Sequence, residues 1–520
     1  MRTSLPLLTL LTLIPLAGGV AVLLAPGQTK LPQRLAFATS LLALAVAAVL
    51  WYGFQAGWQL GERVDWVHSL GIEYRLGVDG LGLMMVMLSA LIVPFAMLAS
   101  WKIAENPKLY FALVLFLECG LIGTFTALNF FHWFIFWELG LIPAFFLVKI
   151  WGGPQRTRAA NQFFIYTLAG SVAMLLAFLA LYAATATATT PGVFDFDQLA
   201  ALARNGRLED LLFAKLGGTF FTSKETLATL VFLGVFLGFA VKAPLMPFHT
   251  WLPSTYAEAP TGTSMLLTGV MSKMGVYGFL RILLPLFPAQ MRALQTPLLV
   301  LAVATIVFSA AAALAQRDLK RMVAYSSINH VGYCLLGIFA AVQLTDTSVA
   351  WTNEKAAVLN GVMLQMFNHG LTASALFYFV GLIEQRSGGL RGLNDFGGLR
   401  KVAPVFCGLM GITLFASLGL PGLNGFVSEF LIFKGALPLA GWAAAISTLG
   451  LLITAIFLLT ILQRVFTGPA QNRWAGWKDL TTAERLTIAP VVALMLVLGI
   501  YPQLLLTVAN PAAMAMLKLF

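Results

Sequence analysis

Charge is what this 520-residue sequence has least of: Asp, Glu, Lys and Arg together make up 10% of it, against 59% hydrophobic residues. With a mean hydropathy of +0.86, the chain has too few polar side chains to build a water-facing surface, which excludes a soluble protein. Cysteine is scarce too. Cys119, Cys334 and Cys407 each fall inside an apolar run, far apart and without C-x-x-C or Cys/His ligand spacing. They read as small packing residues and give no support to an iron–sulfur or zinc site. No G-x-G-x-x-G follows a strand, and P-loop, G-x-S-x-G and H-E-x-x-H motifs are missing, so no catalytic or cofactor-ligand set is present and metal ligation is not expected. This chain does not transfer electrons by itself. The net charge of +11 comes from basic residues scattered among the apolar runs. Without a basic domain to hold a polynucleotide, nucleic acid is excluded as a partner.

What the sequence has in abundance is apolar runs of at least about 18 residues, the length that crosses roughly 30 Å of hydrocarbon. Fourteen are legible, near 4–25, 36–55, 82–101, 109–128, 130–150, 160–185, 226–247, 257–284, 296–315, 322–344, 356–384, 403–435, 441–466 and 486–507. The fold class expected is an all-α polytopic membrane protein, a single membrane domain over 1–520. Lys and Arg are more frequent in the loops after odd-numbered spans, which places those loops on the cytoplasmic side or its equivalent and both termini on the other. The N-terminal run is too long for a signal peptide and reads as an uncleaved first helix. The longest polar connection, 186–225, contains "FDQLAALARNGRLEDLLF", a surface amphipathic helix or part of an ordered loop.

Two spans are interrupted by helix breakers, "VKAPLMPFHTWLP" at 241 and "SLGLPGLNGFVSEF" at 417. Pro244 and Pro247 cannot donate to the carbonyls of Ala240 and Ala243, nor Pro421 to that of Ser417, so water or polar side chains are expected there. The breaks fall in the seventh and twelfth spans. Broken helices five spans apart suit two inverted five-helix repeats, spans 4–8 (109–284) and 9–13 (296–466), with spans 1–3 (1–108) before them and a last span (486–520) after.

A charged side chain at a helix centre costs about 2.5 to 3.5 kcal/mol on insertion scales, so each needs a partner, a water path or a function. Glu118, Glu138, Lys242, Lys273 and Glu429 stand in spans, joined by His330 and His369. Glu138 is embedded among aromatics, with a structural ion pair as the alternative to transport. Lys242 has a stem long enough to reach an interface, but its setting in a broken helix favours function. Lys273 is flanked by apolar residues beyond the reach of snorkelling. A lone histidine in a span is often a packing residue, and Glu118 equally suits a protonated packing carboxyl, so Glu118 is left out of the path. The remaining six alternate carboxylate, amine, amine, imidazole, imidazole and carboxylate. A carboxylate near a buried lysine raises its proton affinity while burial lowers it, so moving the carboxylate's influence makes the lysine bind or release a proton. Glu138 is the expected modulator of Lys242, and histidines relay near neutral pH.

At these residues the sequence resembles the antiporter-like membrane subunits of respiratory and photosynthetic complex I, which are related to subunits of multi-subunit cation/proton antiporters. The resemblance rests on "HWFIFWELGLIPAFFLV", "VKAPLMPFHTWLPSTYAEAPT", "LLTGVMSKMGVYGFLR", "RDLKRMVAYSSINHVGY" and "GLPGLNGFVSEFLIF", from about residue 70 to 470. It implies fourteen helices, two inverted repeats and a lateral proton path at the membrane midplane. Glu138 and Lys242 then match the fifth- and seventh-helix ion pair, Lys273 the central lysine, His330 and His369 the connecting positions, and Glu429 the twelfth-helix exit. Glutamate at that exit resembles the M-type subunit, whereas L- and N-type subunits and antiporter proteins usually carry lysine. "PTGTSMLLTG" departs from the family pattern and bears on the sub-branch alone.

The resemblance further implies NAD(P)H or ferredoxin, flavin, iron–sulfur clusters and quinone on partner subunits and no cofactor on this chain. The partners implied are neighbouring membrane-arm subunits, the lipid bilayer and protons. The location implied is a bacterial inner membrane, or a thylakoid membrane in a photosynthetic variant. The alternatives are a sodium or potassium/proton antiporter subunit and a membrane subunit of an energy-converting hydrogenase.

Overall fold

The computed structural model describes residues 6–26, 30–57, 59–218, 222–346, 348–469 and 471–518. Positions 4 and 5 of the first expected span, and 219–221 of the long connection, lie outside the described residues. Thirteen helices among the described residues are long and apolar enough to cross a membrane. The fourteenth expected span is the interrupted run 403–435, which divides into two helices too short to cross singly.

In chain order the helices before the first break are α1 (Leu7–Leu24), α2 (Leu31–Tyr52), α3 (Gly80–Ala99), α4 (Pro107–Thr126), α5 (Phe130–Trp151) and α6 (Arg156–Thr185). Two short helices follow, α7 (Phe196–Arg204) and α8 (Arg207–Leu216). They replace the expected single amphipathic run because the Asn205–Gly206 turn divides it, and each turns two apolar residues inward, Phe196 with Leu199 and Leu208 with Leu212. The first broken span is α9 (Lys224–Lys242) and α10 (Trp251–Glu258). After it come α11 (Thr261–Leu286), α12 (Gln295–Ala315), α13 (Leu319–Ala341) and α14 (Val349–Arg386). The second broken span is α15 (Pro404–Ser417) and α16 (Asn424–Leu439). The chain continues with α17 (Gly441–Thr467), α18 (Thr482–Ile500) and α19 (Gln503–Leu517).

One expectation needs correction. The run 486–507 is not one span: Pro502 has no amide proton to continue α18, and the separate α19 packs against α3 and α14. The architecture is the expected helical one, with a single two-stranded hairpin among the described residues. Between α2 and α3, β1 (Gln59–Val67) pairs antiparallel with β2 (Ile72–Val78), joined through Gly71 at φ +61°. Arg63 faces Arg75 and Asp65 faces Glu73. Such like-charge pairs destabilise a ladder, and here they are offset by a diagonal Arg63–Glu73 ion pair at 2.5 Å and by Arg75 reaching Asp195 and, at 2.6 Å, Asp197. The hairpin thereby ties the ends of α3 and α5 to α7.

Burial ranks the helices. The central windows of α11, α13 and α14 are 94%, 94% and 100% buried within the protein, whereas that of α2 is 28% buried. α2 therefore presents its side chains to lipid, and α11, α13 and α14 form an interior in which polar groups can meet only one another.

Candidate functional site

The three most enclosed helices carry the central titratable groups. Lys273 sits on α11 between two π-helical turns, Leu267–Met271 and Phe279–Leu283, wider turns that recur at functional sites. Its Nζ donates to the Thr268 carbonyl at 2.5 Å and lies 2.8 Å from Nδ1 of His369 on α14. The other ring nitrogen, Nε2, is 3.1 Å from Ser327 Oγ on α13, and that hydroxyl is 2.5 Å from Thr268 Oγ1. Lys273, His369, Ser327 and Thr268 thus close a ring of contacts across α11, α13 and α14.

From this ring the contacts pass to the second break. The His369 and His330 rings lie 5.1 Å apart between centres, tilted by 36°. His330 Nδ1 is 3.1 Å from Glu429 Oε1, an ion-pair distance when the imidazole is protonated, and Nε2 is 3.1 Å from Ser417 Oγ at the end of α15. Gln365 Nε2 approaches His330 Nδ1 at 3.4 Å, and Ser428 donates to Gln365 Oε1 at 2.5 Å. Glu429 is nearly buried, yet it borders a cavity of about 360 Å³ lined by Phe426, Phe430 and Phe433 of α16 and Thr448 of α17. Gly419, in the break at φ +78°, comes so near that a Cβ there would stand 2.8 Å from Glu429 Oε2. A positive φ and a close approach both call for glycine at that position.

The first break is built differently. α9 ends at Lys242, and the Leu245 amide bonds the Ala240 carbonyl at 2.9 Å while Trp251 Nε1 donates to the Val241 carbonyl at 3.1 Å. The expectation that water or a polar side chain must satisfy Ala240 is thereby corrected: the chain folds back one residue further and supplies its own amide. Pro244 and Pro247 lie in the irregular segment 243–250, and Pro421 lies in 418–423, so both breaks fall where the prolines place them.

Among the described residues Lys242 Nζ has no hydrogen-bond partner, and it is buried over the ring of Trp137, 4.8 Å from its centre. A cation against an aromatic face is stabilised electrostatically. Trp137 is held by its indole N–H donating to Ser171 Oγ at 3.0 Å and by stacking on Trp133 at 4.9 Å. Glu138, next in sequence, also has a buried and unpartnered oxygen, Oε1. The expected Glu138–Lys242 pair is therefore not a contact ion pair here, because Trp137 occupies the face of the lysine. Nor does a side-chain hydrogen bond join Lys242 to Lys273 among the described residues. The two helices still touch, since a Cβ at Gly275 of α11 would stand 2.6 Å from the Ala243 amide.

Sequence reasoning found the six charged and imidazole residues and missed their hydroxyl partners, Thr268, Ser327, Ser417 and Ser428. Thr268 had a signal, lying five residues before Lys273 as the reach of a lysine along one wide turn requires. Also missed was a charged cluster at one face of the bundle. Lys320 pairs with Glu384 at 2.7 Å, and Arg391 reaches Asp318 at 3.0 Å, Glu384 at 3.5 Å and Glu258 at 3.8 Å. Above it is a polar cavity of about 420 Å³ lined by residues that include Gln162, Thr250, Ser254, Glu258, Asp318 and Arg391. Among the described residues no group of three or more His, Cys, Asp or Glu is placed to hold a metal ion.

Comparisons with known proteins identify the family. Residues 127–456 match the family model described as NADH:quinone oxidoreductase/Mrp antiporter, TM, and residues 29–124 match that of NADH-ubiquinone oxidoreductase chain 4, amino terminus. NADH-quinone oxidoreductase subunit M of Rhodobacter capsulatus is 36% identical over 97% of this chain and 95% of its own. F(420)H(2) dehydrogenase subunit M of Methanosarcina mazei is 34% identical over 96% and 95%. Among solved structures, a chain of the respiratory complex I from Thermus thermophilus with bound NADH matches with a TM-score of 0.83 and 29% identity, across 98% of this chain and 99% of that one. The chain belongs to the NADH:quinone oxidoreductase/Mrp antiporter family of integral membrane proteins, in its subunit M branch.

Proposed function

We propose that the chain is a proton-translocating subunit in the membrane arm of a quinone oxidoreductase, with all redox chemistry on partner subunits. The observation that carries this reading is the run of contacts from Lys273 through His369 and His330 to Glu429, laid across the three most enclosed helices. Every one of these groups can bind and release a proton; Lys273 meets His369 and His330 meets Glu429 at 2.8 and 3.1 Å, while the two imidazole rings between them stand 5.1 Å apart between centres. A proton on Lys273 faces a lone pair of His369 Nδ1. One on His330 faces Glu429, whose cavity supplies a way out of the interior.

The first break supplies the control point. Lys242 rests on Trp137 with no hydrogen bond of its own, so its charge depends on burial and on how near Glu138 stands. A movement of α5 against α9 changes that distance and with it the proton affinity of Lys242. The polar cavity beside Thr250 and Ser254 opens next to the segment 243–250 and offers the entry side. The two five-helix units, 109–284 and 296–466, each contribute one break to this arrangement, with 1–108 and 486–520 flanking them.

The electron donor is set by the partners. Relatives at 36% and 34% identity are named for NADH and for F(420)H(2), while NAD(P)H or ferredoxin is the donor expected for this chain's complex. A bacterial inner membrane, with the charged cluster of Glu258, Asp318, Glu384 and Arg391 toward the cytoplasm, fits the distribution of Lys and Arg. The test is proton pumping by the reconstituted complex carrying Lys242→Ala or Glu138→Ala. Electron transfer with pumping lost in either supports the path, and full pumping in both overturns it.

A further inference from the structure

Lys273 has a second polar neighbourhood, along its own helix. Tyr277 and Arg281 follow it at intervals of four on α11, each step roughly 6 Å along a helix axis. Tyr277 is buried, its hydroxyl donates to the Phe125 carbonyl at 3.2 Å, and Arg281 Nε donates to that hydroxyl at 3.2 Å. The guanidinium pairs with Asp79, with side chains 10% and 13% exposed. Asp79 is itself fixed, because it caps α3 by accepting from the Gly82 amide at 3.0 Å. Directly beyond the pair is a cavity of about 340 Å³ lined by Asp79, Asp197, Arg204, Arg281 and Met516 among others. This cavity is on the hairpin face, the side opposite the cluster of Lys320, Glu384 and Arg391. Tyr277 and the Arg281–Asp79 pair therefore lie in succession on the way from the central lysine to that face, while the lysine Nζ itself is turned toward the preceding turn and His369.

That ion pair has the wrong chemistry for a relay. A guanidinium stays protonated and has no lone pair to accept a proton. Held in a narrow passage it also repels hydronium, as fixed cations do in selective pores. Beside the other cavity the arrangement is the reverse: Glu429, a titratable carboxyl, meets that space, and no Lys or Arg lines it.

We infer that the Arg281–Asp79 pair is a seal that closes the direct way from Lys273 to the hairpin-side cavity and leaves His369 as the lysine's outlet. The inference rests on the proposed function. Arg281 and Asp79 act as positioning residues: they relay no proton and decide which way it goes. Asp79 has two tasks, holding the guanidinium across the passage and offsetting its charge so that Lys273 can still be protonated two turns away.

The test uses the complete complex in proteoliposomes, without substrate, under a potassium diffusion potential, with internal pH read by a trapped dye. Arg281→Met is expected to admit protons several-fold faster than the unaltered complex, with quinone reductase activity as the check of assembly. The double variant Arg281→Gln with Asp79→Asn leaves no lone buried charge and is expected to leak likewise. Adding Lys273→Ala to either is expected to return the leak to the unaltered level, since the leak runs through the lysine. Tight vesicles from an assembled, active Arg281→Met or double-variant complex overturn the seal, and so does a leak that persists without Lys273. Failure of the underlying reading is separate: full pumping by Lys273→Ala alone removes the lysine from the path, whatever the leak.

Discussion

At the first break Lys242 lies on the face of Trp137 without a hydrogen bond, and at the second Glu429 stands 3.1 Å from His330 with Gly419 pressed against it. Both breaks use proline to stop a helix at membrane depth, yet one isolates its charge and the other connects it. An isolated cation responds strongly to a distant carboxylate, because no local partner fixes its protonation. A connected carboxylate exchanges with its neighbour instead. On the proposed path the difference is a division of labour, with sensing at the first break and delivery at the second.

The comparison is most directly broken at Lys242. Lys242→Ala is expected to remove most pumping by the reconstituted complex while electron transfer persists, measured as the proton-to-electron ratio; an unchanged ratio would erase the assigned difference between the breaks. Glu429→Gln is expected to reduce that ratio by a smaller but large fraction, and Glu429→Asp to restore part of it, because the delivery end needs a titratable group and not a fixed geometry. Next comes Gly419→Ala. The left-handed backbone costs about 1 to 2 kcal/mol for a residue with a Cβ, and the added methyl displaces Glu429. A lower thermal midpoint in detergent and weaker pumping are expected together, and a silent variant would show that the second break does not hold its carboxylate.

Ser171→Ala sharpens the first break. It removes the hydrogen bond that orients Trp137 beneath Lys242, worth about 1 kcal/mol, and is expected to shift the pH profile of pumping with little change in assembly. The smallest effect concerns the caps of the broken spans. α9 begins under Ser223, and α15 begins under Asp479, whose carboxylate accepts from the Val405 and Phe406 amides at 3.0 Å each. Burial works against the charged form of Asp479, but the amides of Val405, Leu480 and Phe406 win and hold its pKa below the ordinary 3.8. A depressed carboxyl contributes stability above its unfolded pKa and loses it as pH falls through the folded value. Asp479→Asn is therefore expected to lower the thermal midpoint slightly near neutral pH. The gap in thermal midpoint between the variant and the unaltered chain should close as pH falls below about 4.

The charged members of the site were legible in the sequence because an ion in an apolar run is costly and so conspicuous. Lys273, Glu429 and both breaks needed nothing more than that. Ser327 was not legible, since hydroxyls are common in spans and usually bond their own helix, as Ser309 does to the Thr305 carbonyl. Nothing in local spacing brings Ser327 beside His369, which lies on another helix. The absence of a direct Glu138–Lys242 contact was illegible for a related reason: the intervening Trp137 is a sequence neighbour of one partner, and only rotation of α5 decides which side chain meets the lysine. The hairpin at 59–78 escaped because its charges read as an ordinary polar connection, whereas its alternation is that of two paired strands.

The ring of Lys273, His369, Ser327 and Thr268 has a direction. With the lysine charged, it donates to His369, the imidazole donates to Ser327, and the serine hydroxyl points at Thr268. Once the lysine has lost its proton and the imidazole has changed tautomer, Nδ1–H points back to the amine and the hydroxyls turn around. On the proposed path the state of the lysine is thus recorded in the orientation of two hydroxyls and one tautomer, while the Thr268 carbonyl, an acceptor alone, stays fixed. On that path the orientation must be reset before the next proton is accepted.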